Sequence, residues 1–89
     1  MPPETFKLPT AELIAANKGT LALLERSGPR EQVLFYVQNP NPKLTPIRVR
    51  LRDKRIFGQD AYQRLCAAHV RGDAEVMCAR ATMQEELSA

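Results

Sequence analysis

The chain has no tryptophan, one histidine, two cysteines and four glycines among its 89 residues, and each shortage removes a class of function. Cys66 and Cys78 are too few for the disulfide framework of a secreted mini-protein, so a reduced, cytoplasmic setting is expected. A structural zinc site needs four ligands, usually in close pairs. Cys66 and His69 share an i, i+3 spacing on an expected helix, but Cys78 has no close companion, and no metal site is expected. As a catalytic dyad the same pair lacks an orienting third group and an oxyanion site. The glycines stand singly, and the chain contains no Walker-type phosphate loop, no zinc-protease histidine pair and no Gly-x-Ser-x-Gly elbow. Neither a cofactor nor enzymatic activity is expected. Long apolar runs are also missing: none approaches the ~20 residues of a membrane span. Met1–Thr10, with Pro2, Pro3 and Pro9, reads neither as a signal peptide nor as a membrane anchor.

What the chain does contain is ordinary for a folded domain: 44% hydrophobic and 26% charged residues, too apolar for wholesale disorder. Its length allows one core. The organisation expected is a flexible N-terminal arm over residues 1–9, where the prolines oppose helix, and a single α+β domain over residues 10–89.

Within that domain the first expected element is a helix capped by Thr10, with Glu12 in its first turn and Leu13, Ile14, Leu21, Leu23 and Leu24 on one face. Ser27-Gly28-Pro29 ends it. Gln32–Val37, rich in β-branched and aromatic residues, reads as a strand. Asn39–Pro46 holds three prolines and reads as a loop. Ile47–Arg52 alternates strictly and reads as a second strand, antiparallel to the first, and Arg55–Phe57 is a candidate third. Asp60 can cap a helix with Tyr62, Leu65, Cys66 and His69 or Val70 inward. Gly72-Asp73 then starts a second helix with Val76, Met77 and Met83 inward, or bends a single one. The expected architecture is a helix, two antiparallel strands with a possible third, and one or two C-terminal helices packed on one sheet face. Two strands alone are marginal, so a homodimer is an open alternative.

Charge supplies the main lead. Between Lys43 and Arg55 lie six basic residues against one acidic residue, Asp53, whereas the remaining chain holds seven basic and nine acidic residues. The positive character belongs to one segment, which points to an acidic partner. In Ile47–Arg52 alternation puts Ile47, Val49 and Leu51 on one side and Arg48, Arg50 and Arg52 on the other, about 6.8 Å apart. A guanidinium is a planar fork that matches phosphate or carboxylate and stacks on aromatic faces. Lys43, Lys54 and Arg55 can widen the patch, and Tyr36 on the neighbouring strand can offer a stacking surface.

The function expected is therefore a small non-enzymatic binding module: a nucleic-acid-associated or regulatory protein, or a protein-binding inhibitor or adaptor using the same strand or its sheet edge. The bland alternative is a solvated edge strand whose charges prevent aggregation. Met77, Met83 and Leu87 read either as ordinary core or as an adaptable contact surface. Arg71-Gly72-Asp73 spells an adhesion tripeptide, but at a helix junction it reads as chance plus capping.

Overall fold

The structure, a computed structural model, describes residues 4–27, 30–39 and 46–88. It is a small α+β domain built on a mixed four-stranded sheet. The central strand is β4 (Glu75–Arg80), which pairs antiparallel with β1 (Thr5–Pro9) and parallel with β2 (Ile47–Arg50). A two-residue strand, β3 (Arg55–Ile56), closes an antiparallel hairpin with β2, so the order is β1-β4-β2-β3. Parallel neighbours need a crossover. Here the chain leaves β2 through the hairpin and returns through α4 (Gln59–Arg71) before entering β4.

Period-two alternation decides which face is buried. Phe6, Leu8, Ile47, Val49, Ile56, Val76 and Cys78 form one apolar surface of the sheet. Against it pack Leu13 of α1 (Thr10–Ala16), Leu21 of α2 (Lys18–Ser27), and Ala61, Tyr62 and Leu65 of α4. A further helix, α3 (Arg30–Gln38), lies outside this layer against α4. The chain then ends its described part with a single helical turn, α5 (Met83–Glu86), just after β4.

One buried polar side chain joins these parts. Asn17, at the break between α1 and α2, donates from Nδ2 to the carbonyls of Leu13 (2.8 Å) and Lys54 (3.0 Å). Its Oδ1 accepts the Ile56 N–H at 3.1 Å. The helix break is thereby fastened to the β2–β3 hairpin. In that hairpin Lys54 sits at φ 61°, the left-handed conformation that lets the loop Leu51–Lys54 turn back tightly.

Several expectations are corrected. Thr5–Pro9 is not a free arm: with Phe6 and Leu8 alternating inward, it is an edge strand on β4. The expected helix from Thr10 is two helices, and Pro9 rather than Thr10 occupies the cap position. Gln32–Val37 lies in a helix, not a strand. Its partly buried positions are Val33, Tyr36 and Val37, an i, i+3, i+4 set facing α4, and tertiary packing overrides the β propensity. Asn39 closes α3 by donating from Nδ2 to the Phe35 carbonyl (2.9 Å).

After Gly72 the chain enters β4, not a second helix, and the sheet is mixed instead of antiparallel. Gly72 does take the left-handed cap of α4 (φ 78°), and Arg71 pairs with Asp73 at 2.7 Å, so this tripeptide serves as a helix stop. Asp60 is in the first turn of α4 while Gly58 holds the cap position. The expected third strand is present as Arg55–Ile56. The loop between Asn39 and Pro46 lies outside the described residues.

Candidate partner-binding face

The sheet face opposite the core carries Arg48 and Arg50, placed there by the same alternation that sends Ile47 and Val49 inward. They do not form a bare cationic row. β2 ends at Arg50, Arg52 belongs to the hairpin loop, and each of the three arginines is engaged within the chain. Arg48 Nε donates to both carboxylate oxygens of Glu85 at 2.9 Å, with 45% of the Arg48 side chain still exposed. Arg50, expected toward solvent, is 4% exposed. It meets Asp53 through two nitrogens, Nε to Oδ1 at 3.1 Å and a terminal nitrogen to Oδ2 at 2.7 Å. Its other terminal nitrogen donates to the carbonyls of Glu85 and Ser88. Arg52 donates to the carbonyl of Glu86 at 3.2 Å.

The arginines thus hold α5 and the residues just after it. What they grip is one carboxylate and the terminal carbonyls of a helical turn, groups left without intrahelical partners at any helix C-terminus. The turn itself is fastened at its other end by a reciprocal cap: Glu85 N–H bonds the Thr82 hydroxyl, and Thr82 N–H bonds Glu85 Oε1 (2.9 Å). One carboxylate therefore serves both the cap and Arg48. Burial raises the affinity of Glu85 for a proton, but the Thr82 N–H and the Arg48 guanidinium outweigh it and leave the carboxyl below its ordinary range.

None of the α5 residues is buried, and Met83 and Leu87 are 79% and 80% exposed. Reading them as core is therefore wrong; with half-exposed Met77 they lie at the surface. A partly exposed ion pair such as Arg48–Glu85 contributes about 0–1 kcal/mol.

Asp53 is the counter-ion inside the arginine cluster. Its bond from Arg50 does most to lower its pKa, burial opposes, and the Arg55 N–H and nearby Arg52 add to the lowering, bringing it from 3.8 to about 2. A depressed carboxylate stabilises the fold above its unfolded value and loses that contribution as pH falls through the folded value. The Asp53 contribution is present above 3.8 and gone below about 2. Thermal midpoints across this window are expected to fall more steeply for the parent than for Asp53→Asn, and the two curves should converge at the acid end. Parallel curves would show that Asp53 is not coupled to folding.

The remaining expected site residues are scattered. Arg55 is exposed, and its guanidinium, like that of Arg50, lies 5.6 Å from the centre of the Phe57 ring, an aromatic contact that the sequence reading did not include. Lys54 is partly exposed in the hairpin loop. Tyr36 is not beside the arginines, since it belongs to α3 and its hydroxyl donates to Asp60 of α4. That bond, first among the causes, raises the Tyr36 pKa. Lys43 lies outside the described residues.

Cys78 is buried in the sheet, and burial pushes its thiol up to about 11, which keeps it protonated at neutral pH. Cys66 lies partly buried on α4, and His69 is exposed. Among the described residues no three of His, Cys, Asp and Glu are grouped to hold a metal ion, and no helix is long and apolar enough to cross a membrane.

The chain matches no protein-family model, no curated protein and no solved structure. Its own geometry is what bears on function. The sequence signal for the internal pairing was present in Glu85-Glu86, the acidic pair that follows β4, but nothing local assigns it to an arginine 37 residues away.

Proposed function

We propose that this chain is a non-enzymatic binding module of the cytoplasm, a regulator or adaptor whose arginine face takes up an acidic helical segment of a partner protein. One observation carries the reading: Arg48, Arg50 and Arg52 together engage a carboxylate and the carbonyls at the end of a helical turn. Charge-assisted bonds of this kind are short and directional, and they recognise a peptide end better than a diffuse charge cloud. The confinement of net positive charge to the segment around β2 supports steering toward an acidic surface. Cys66 and Cys78 are not joined to each other in a disulfide, which suits a reduced compartment.

Nucleic acid is the second reading, favoured by the exposed guanidinium of Arg55 over the Phe57 ring, which can present a stacking platform. The test compares two labelled probes by fluorescence anisotropy at low salt. One is a short helix-forming peptide of Ala, Leu and Glu ending in a free carboxylate, and the other is a random single-stranded DNA of similar charge. The peptide is expected to bind. Replacing both Arg48 and Arg52 with alanine should weaken it by about tenfold, equivalent to losing roughly 1.4 kcal/mol. Tighter binding of the DNA, with the same arginine dependence, would transfer the site to nucleic acid. If neither probe binds, the arginine cluster is purely structural.

A further inference from the structure

We infer that α5 is a displaceable internal ligand, which masks the arginine face until an acidic helical segment takes its place. The inference rests on the proposed function, and it adds that the unliganded chain is held in a closed state by its own C-terminal residues.

The contacts are of the kind that a partner peptide can reproduce group for group. Glu85 supplies a carboxylate to Arg48, and the carbonyls of Glu85, Glu86 and Ser88 supply acceptors to Arg50 and Arg52. Among the described residues none of the turn is buried, and Met83 and Leu87 are largely exposed to solvent. An element held by polar contacts, with water as an alternative partner for each group, belongs to the least stable part of a fold.

The hinge is equally defined. Ala81 N–H bonds the Val49 carbonyl at 3.0 Å, so β4 and its continuation stay docked on β2. Movement begins after that bond, at Thr82, which is fastened to the turn by the reciprocal cap with Glu85 and by the Glu86 N–H donated to its carbonyl at 2.8 Å. Losing the Glu85 carboxylate therefore removes the side-chain half of the cap and the Arg48 contact together. Arg50 keeps its two-point bond to Asp53 when α5 leaves, so the face stays organised for an incoming ligand.

A binding-competent state that is only fractionally populated weakens apparent affinity by that fraction. Glu85→Ala should therefore tighten the Ala/Leu/Glu peptide by about tenfold if the open state is roughly a tenth of the parent ensemble. Gln84→Ala, a change at an exposed position on the same turn, should leave the affinity unchanged. A second measurement uses the parent chain alone. Backbone order parameters for residues 83–87 should stand near ~0.85 without peptide and fall below about 0.6 when the peptide saturates the face.

Equal peptide affinity for the parent and Glu85→Ala, with α5 still ordered in the complex, would overturn the internal-ligand inference and leave the binding function intact. Absence of peptide binding to both chains would remove the two together.

Discussion

Asn17→Ala is expected to destabilise the fold by about 2–4 kcal/mol, because buried groups left without a partner each cost roughly 1–3 kcal/mol. Asn17 is 4% exposed and uses its amide completely, donating to Leu13 and Lys54 and accepting from Ile56. Alanine removes all three bonds and leaves the Ile56 N–H inside the protein. Asp at this position keeps the acceptor but loses both donors and introduces a charge, so it should be no better. Urea unfolding with an unchanged slope is the measurement. A loss below about 0.5 kcal/mol, the range of ordinary surface substitutions, would mean that the hairpin does not depend on this link.

The second large effect separates core from surface among leucines. Leu65, 0% exposed on α4, should cost about 2–5 kcal/mol on replacement by alanine, since the cavity left behind adds to the lost transfer energy. Leu87→Ala should cost less than about 0.5 kcal/mol. The same chemical change thus reads out whether the C-terminal residues belong to the core. Comparable costs at the two positions would place Leu87 inside the fold and remove the basis for a loosely held α5.

The contrast also marks where the sequence was legible. Alternation in Ile47–Arg52 pointed to a strand, which is present over Ile47–Arg50 with Arg50 buried and Arg52 in the following loop. The hydrophobic spacing of Tyr62 and Leu65 located the inner face of α4, although His69 and Val70 are exposed. Gly72 announced a helix end. The failures share a physical cause: short segments satisfy two periodicities at once. Val33, Tyr36 and Val37 fit a helix facing α4, while the intervening Leu34 and Phe35 make the same stretch look like a strand. In Glu75–Arg80 the alternation of Val76 and Cys78 was present, but Asp73 after a glycine looked like a helix start. Phe6 and Leu8 were hidden by prolines that a short edge strand tolerates.

The arginine row was legible as a charge pattern, and its distant partners were not. Arg48 finds Glu85 and Arg50 finds Ser88 through chain returns that no local window contains, whereas Asp53 stands only three residues from Arg50. Burial of Arg50 follows from that closure. A row expected to face solvent is, in the folded chain, a face with an acidic turn laid across it.

Where the acidic peptide lands is the most direct test. Side-chain Nε–H resonances of Arg48, Arg50 and Arg52 can be followed by nuclear magnetic resonance while the Ala/Leu/Glu peptide is added. The arginine-face reading predicts that these signals move together and saturably, with Glu86 and Leu87 amides shifting toward random-coil positions. Perturbations confined to Leu34, Phe35 and Val70, the exposed apolar positions of α3 and α4, with the arginine signals unmoved, would contradict it.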